Sequence, residues 1–137
     1  MSVKKNGNDY PPIADYALIS DCHCTALVSR NGSIDWCCMP RPDADSCFGR
    51  LLDWNKGGYC QIAPTADECR SERRYLPGTM ILETRFHTPQ GEVLLHDFFA
   101  MDSEASEQAR YELVRIVTGV SGKVEIGVEI HPRFDYG

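Results

Sequence analysis

No stretch of this sequence is apolar enough to cross a membrane as a helix. The longest uncharged apolar runs, such as Met80-Ile81-Leu82 and Val93-Leu94-Leu95, fall far short of the roughly 20 residues required. The opening Met1-Ser2-Val3-Lys4-Lys5-Asn6-Gly7-Asn8 has no apolar core of the kind a secretory signal needs. Positive charge is scarce: 14 Lys and Arg stand against 20 Asp and Glu, a net charge of −6. Without a long basic run there is no footprint for neutralising phosphates, so a nucleic-acid partner is excluded. No Gly-rich phosphate loop, internal repeat or low-complexity tract is present. The expected location is cytoplasmic, with no membrane partner.

Cysteine use fits that expectation. Seven cysteines without a signal peptide read as free thiols in a reducing compartment, since an odd count leaves at least one unpaired. Zinc is the competing reading of Cys22-His23-Cys24 and Cys37-Cys38, but structural zinc sites use pairs separated by two to four residues. In an extended segment Cys22 and Cys24 share a face, while the adjacent Cys37 and Cys38 point to opposite faces. Cysteine also packs as a small hydrophobe. No structural metal and no cofactor are expected.

What the sequence does hold is the material of a single all-β domain. Its 137 residues are 42% hydrophobic and 25% charged, enough to bury a core without metal or disulfide support. Val124, Ile126, Val128 and Ile130 alternate with Glu125, Gly127, Glu129 and His131, the pattern of a half-buried strand. Met80, Leu82 and Phe86 alternate with Glu83, Arg85 and His87 in the same way. The β-branched run from Glu112 to Thr118 alternates less cleanly and predicts burial on both sides. Asn31-Gly32 marks a two-residue hairpin, in which both central positions take positive φ. Pro77-Gly78, Pro89-Gln90-Gly91 and Ser121-Gly122 mark further turns.

The expected strands cover 25–30, 33–39, 58–63, 71–76, 79–88, 91–101, 110–119 and 122–133. Such regular short strands predict an antiparallel two-sheet β-sandwich with one or two short helical turns. A helix of two turns is expected within 46–53, capped by Asp45 or Ser46. Residues 102–108 read as a solvated loop and 1–10 as a disordered polar tail, with the sandwich filling 11–137. The apolar strand near 130 runs into Pro132-Arg133-Phe134-Asp135-Tyr136-Gly137 without a covering element, as a fragment would.

One segment carries candidate chemistry. Ser33-Ile34-Asp35-Trp36 leads into a proline-stiffened loop bearing Arg41, Asp43 and Asp45. An aromatic face stacks on the apolar side of a sugar ring, while carboxylate and guanidinium groups satisfy its vicinal hydroxyls. Trp36, Arg41 and Asp43 are therefore the candidate substrate-binding or active-site-wall residues. The plainer alternative makes Trp36 a core residue and pairs Arg41 locally with Asp43 or Asp45. A catalytic residue is not found. Glycoside hydrolysis needs one protonated and one ionised carboxyl at fixed separation. Glu125 and Glu129 share one wet strand face, with nothing to distinguish them, and His23 and His96 lack an oriented nucleophile.

Taken in order, these blocks resemble the opening of bacterial glycoside hydrolase family 15 proteins, the glucoamylase-like and trehalase-like enzymes. The resemblance rests on Ile13-Ala14-Asp15-Tyr16-Ala17-Leu18-Ile19-Ser20-Asp21, Thr25-Ala26-Leu27-Val28, Asn31-Gly32-Ser33-Ile34-Asp35-Trp36 and Pro40-Arg41-x-Asp43. It continues through Phe48-x-x-Leu51-Leu52-Asp53, Arg74-Tyr75-Leu76-Pro77-Gly78-Thr79, Leu82-Glu83-Thr84, Leu113-Val114-Arg115, Gly119-x-x-Gly122 and Pro132-Arg133-Phe134-Asp135-Tyr136-Gly137. It implies an N-terminal supersandwich-like domain, followed after residue 137 by an (α/α) barrel. That barrel would carry the two glutamates that hydrolyse α-glucosidic bonds with inversion. Neither glutamate has a counterpart here, so the implied role is non-catalytic: stabilising the barrel and walling its mouth. The partners implied are that barrel and an α-glucoside. Pro42 stands where the family has an apolar or aromatic residue, and Ala44-Asp45 replaces a run of small residues. A free carbohydrate-binding module or an interaction scaffold are the alternatives.

Overall fold

The alternating segments become strands in a computed structural model, which describes residues 10–101 and 111–134. In chain order these are a 3-10 turn at Ile13–Asp15, then β1 (Tyr16–Ser20), β2 (Thr25–Ser29), β3 (Ser33–Cys38), β4 (Ser46–Phe48) and β5 (Tyr59–Pro64). There follow β6 (Arg70–Tyr75), β7 (Leu82–Thr88), β8 (Gly91–Phe99), β9 (Leu113–Gly122) and β10 (Ile126–His131). The first sheet has the order β1-β2-β3-β5-β10, with β4 paired to β3, and the second runs β6-β7-β8-β9. Every pairing is antiparallel. The sandwich expected from the sequence is the observed architecture.

Two apolar clusters fill the space between the sheets. Ile19, Ala26, Val28, Ile34, Cys37 and Cys60 of the first sheet share one with Leu82 and Phe99 of the second. Phe86, Val93 and Leu95 form the other, against Ile62 and Ile126. Cys24, Cys37 and Cys60 pack there as small apolar groups, and burial pushes the Cys24 thiol up to about 11.

A buried ion pair on the second sheet also reaches across to the first. Asp97 on β8 follows Val93 and Leu95 on the inward face, and its side chain is fully buried. Its partner across the sheet is Arg115 on β9, whose Nε and Nη2 donate to the carboxylate at 2.6 and 3.2 Å. The same guanidinium reaches the first sheet, donating at 2.7 Å to the Cys60 carbonyl and at 2.7 Å to the Gly32 carbonyl. Burial opposes the charge on Arg115, but the Asp97 carboxylate outweighs it and raises the arginine's pKa.

Several expectations need correction. The β2–β3 connection is not a two-residue hairpin: residues 30–32 form it, and only Gly32 takes positive φ, +75°. The Gly32 N–H donates to the Ser29 carbonyl at 3.0 Å, which fits a turn closed by one left-handed residue. The helix expected within 46–53 is instead strand β4 followed by turns. Pairing with β3 recruits Ser46 and Phe48, and tertiary pairing overrides the weak local helical pattern. Strand β1 went unpredicted because Tyr16-Ala17-Leu18-Ile19-Ser20 does not alternate cleanly. The run at 112–118 is not buried on both sides: β9 is the edge of its sheet, and its residues from Ile116 onward are exposed. On β10, Val128 and Ile130 are 57% and 61% exposed, so the expected half-burial fails there. The loop expected at 102–108 lies outside the described residues, as does the expected tail except Tyr10.

The outer face of the second sheet carries a charged ladder. Register places Arg74, Glu83 and His96 in one row across β6, β7 and β8. Glu83 accepts from Arg74 Nε at 2.8 Å and lies 2.9 Å from His96 Nε2. The hydrogen bond from Arg74, and secondarily that with His96, holds the Glu83 carboxyl below its usual range. A carboxyl with a lowered folded-state pKa contributes stability above its unfolded pKa, and the contribution disappears as pH falls through the folded value. Glu83→Gln should therefore cost about 1 kcal/mol or less at pH 7, because Arg74 is largely exposed and its pairing is screened. The gap between variant and parent should begin to close near about pH 4, where the unperturbed carboxyl titrates, and vanish only once the pH has fallen below the lowered folded-state value. Urea melts across that pH range test this, and a gap that stays constant into acid would refute it.

Candidate functional site

The segment singled out by sequence lies on the outer face of the first sheet. Leu27 pairs with Trp36 and Val28 with Ile34, so Asp35 is the extra residue of a β-bulge. The bulge places the Asp35 carboxylate, 1% exposed, against the connection between β4 and β5. Tyr16 Oη donates to it at 2.7 Å and Ser33 Oγ at 2.5 Å, while Arg50 Nη1 lies 3.8 Å away. Burial, then the bond to Asp35, drives the Tyr16 pKa far above that of a free phenol, so the hydroxyl remains a donor.

Arg50 lies over two aromatic rings. Its guanidinium carbon lies 4.0 Å from the centre of the Trp54 ring and 3.9 Å from that of Tyr59. Such contacts suit arginine, whose planar, weakly hydrated cation stacks on aromatic rings. Tyr10 meets Trp54 edge-on with ring centres 5.3 Å apart. Tyr59 donates to Glu129 Oε2 at 2.5 Å, and that bond, ahead of burial, raises its pKa. The Arg50 loop is stitched down by its backbone: Leu51 N–H donates to the Asp35 carbonyl at 3.2 Å and Gly49 N–H to the Gly57 carbonyl at 2.7 Å.

The three sequence candidates are not gathered into one contact network. Trp36 is half-buried on β3. Arg41 Nε and Asp43 Oδ1 form a local ion pair at 3.1 Å, with side chains 69% and 75% exposed. Among the described residues, no hydrogen bond or ion pair links them to Asp35, Arg50 or Trp36. An exposed pair of this kind contributes at most about 1 kcal/mol. Sequence reasoning named Asp35 but missed Tyr16, Arg50, Trp54 and Tyr59 as its surroundings, because they are gathered from distant positions.

The buried carboxylates are engaged by donors: Asp35 by Tyr16 and Ser33, Glu83 by Arg74, Asp97 by Arg115. This chemistry holds backbone and rings in place. Among the described residues, no group of three His, Cys, Asp or Glu side chains is placed to hold a metal ion. No helix among them is long and apolar enough to cross a membrane. A groove of about 810 Å³ opens beside the β6–β7 turn, lined by Tyr75, Leu76, Met80, Ile81, Phe98 and Phe99 among others. Its lining is mostly apolar, with the hydroxyl residues Ser20, Tyr75 and Thr79 and no charged side chain.

Fold and site together define an all-β sandwich domain with an arginine–aromatic clamp on one outer face. Comparison with known proteins places it more closely. The trehalase-like N-terminal family matches residues 4–137, and the chain belongs to that family. It is 39% identical over 143 residues to a trehalase of Mycolicibacterium smegmatis, covering 94% of this chain and 21% of that protein. A Mycobacterium tuberculosis trehalase is 40% identical over the same shares. A Thermoplasma volcanium trehalase is 33% identical, covering 93% of this chain and 21% of its own length. The chain thus spans about a fifth of the length of these relatives. No solved structure matches it.

Proposed function

We propose that this chain is the N-terminal, non-catalytic part of an inverting α-glucoside hydrolase acting on trehalose. It stabilises a catalytic region elsewhere in the same polypeptide and helps to wall its active-site mouth. The carrying observation is the family match over 4–137, within relatives that are named trehalases and are about five times as long. The engagement of Asp35, Glu83 and Asp97 in structural contacts supports a non-catalytic role.

The test is hydrolysis by the full-length protein, followed by NMR at the anomeric carbon. Inversion at one anomeric centre of α,α-trehalose yields one β-glucose and one α-glucose, whereas retention yields two α. Equal initial α and β products support the proposal. Two α products, or turnover of maltose without turnover of trehalose, would overturn it. Residues 1–137 alone should show no turnover.

Within this reading, Trp36, Arg41 and Asp43 line the substrate's approach, with Arg41 and Asp43 orienting the loop or a substrate hydroxyl. Pro40 and Pro42 reduce the freedom lost on ordering that loop. Arg41→Ala or Asp43→Ala in the full-length enzyme should lower kcat/KM about tenfold, equivalent to ~1.4 kcal/mol, with little change in melting temperature. Unchanged kinetics, or activity lost only in proportion to folded protein, would make the pair a surface contact and nothing more.

A further inference from the structure

The stem of the loop carrying Arg41 and Asp43 is built from thiols. β3 ends in Cys37-Cys38 and β4 begins with Ser46-Cys47, so residues 39–45 leave and return between two cysteine-bearing strands. Cys37 is in register with Phe48 and Cys38 with Ser46, which leaves Cys47 as the extra residue of a β-bulge. A bulge re-aims a side chain, and here Cys47 Sγ turns in against Cys37, donating to its carbonyl at 3.3 Å. Cys47 packs against the same apolar cluster that holds Cys37 and Cys24. Cys24 Sγ in turn donates to the Pro40 carbonyl at 3.5 Å, where the loop begins.

The two thiols at this stem differ in the way that a reactive pair requires. Cys37 is fully buried, whereas Cys47 is half-buried on a strand of three residues and keeps contact with solvent. As a thiolate, Cys47 accepts a hydrogen bond from the Cys37 thiol. That bond, against the cost of burial and with help from the Cys47 and Phe48 backbone N–H groups, lowers the Cys47 thiol to about 7. The same contact, followed by burial, raises Cys37. Burial also raises Cys24 and Cys38. Cys47 therefore carries thiolate at neutral pH, where an ordinary thiol is almost wholly protonated, and the thiolate is the nucleophile.

We infer that Cys47 and Cys37 form a peroxide-responsive thiol pair, whose disulfide closes the loop carrying Arg41 and Asp43 at its stem. The Cys47 thiolate attacks one oxygen of a hydroperoxide and the O–O bond breaks. The other oxygen leaves with the electron pair and takes up a proton, and Cys47 is oxidised to a sulfenic acid. Cys37 Sγ then attacks the Cys47 sulfur and gives up its proton, and the sulfenic oxygen leaves as water. Two thiols and hydrogen peroxide thus yield one disulfide and two waters. In a reducing compartment such a bond is transient, reversed by exchange with another thiol. It adds a covalent tie to the backbone pairing that holds β4 to β3. Its formation does not depend on the role proposed for Arg41 and Asp43.

The test treats the full-length protein with hydrogen peroxide, alkylates the remaining thiols and digests before aspartate. No substrate is involved, so the outcome is separate from that of the trehalose assay. This digestion places Cys37 and Cys38 in residues 35–42 and Cys47 in residues 45–52. Mass spectrometry should find these two peptides linked, and dithiothreitol should release them. The link should persist in Cys38→Ser and fall about tenfold or more in Cys37→Ser and Cys47→Ser. In Cys37→Ser, dimedone should label Cys47, whose sulfenic acid then lacks its partner. The result on the unmodified protein stands by itself if a serine variant fails to fold. Absence of the link at peroxide doses that oxidise the exposed Cys22 would overturn the inference. A link that survives in Cys37→Ser would make Cys38 the partner and overturn it equally.

Discussion

Replacing Arg115 by alanine in the full-length protein should cost about 3–5 kcal/mol, the loss expected when one partner of a buried ion pair is removed. Asp97 would keep a buried carboxylate without its donor, and the Cys60 and Gly32 carbonyls would lose theirs. Asp97→Ala should be comparably damaging, because the guanidinium would retain two carbonyls and no counter-charge. The double variant Asp97→Ala/Arg115→Ala should cost less than the sum of the two single losses, as it leaves no unpaired charge in the core. Equilibrium urea unfolding of the four proteins measures this. Simple addition of the two single losses in the double variant would refute the coupling.

Gly32→Ala should rank close behind, at about 3–5 kcal/mol, and Gly78→Ala supplies the contrast. Both glycines take positive φ, +75° and +70°. That conformation alone costs an L-residue roughly 1–2 kcal/mol. Around Gly78 there is open space, so the backbone term is all that Gly78→Ala should show. A Cβ at Gly32 would collide with the Ile62 carbonyl oxygen. Relieving the clash would pull Gly32 from its bonds to the Ile62 N–H at 3.1 Å and to Arg115 at 2.7 Å, each worth ~1 kcal/mol or more. Equal losses at the two sites would show that space around Gly32 does not matter.

Strand-forming segments with clean alternation were legible from sequence: β7, β8 and β10 all fall inside the expected spans. The inward placement of Asp97 was not singled out, although Val93, Leu95, Asp97 and Phe99 share one parity on β8. An acid in a core-facing position announces a partner. The partner was hidden because Arg115 sits in a run read as buried on both faces, when the strand is an edge whose inner face alone takes Arg115 and Leu113 into the core. β4 and the bulge at Asp35 were not legible, because three residues carry too little periodicity and a bulge shifts parity midway. The Arg50 clamp was out of reach for another reason. Its members at 16, 35, 50, 54 and 59 meet through pairing of β1, β2, β3 and β5, and nothing in their spacing specifies that pairing.

The reach of Arg115 also sets an order in time. Its bond to Gly32 joins residues 83 apart and that to Cys60 joins residues 55 apart. Closing loops of that length is slow compared with forming local hairpins. During synthesis β1, β2 and β3 leave the ribosome, and pair, well before the side chain that ties them to the second sheet has been made. Until it arrives, the Gly32 and Cys60 carbonyls depend on water and Asp97 has no counter-ion, so the interior has reason to stay wet. The tie between the N-terminal hairpins and the second sheet can therefore form only after β9 has been made.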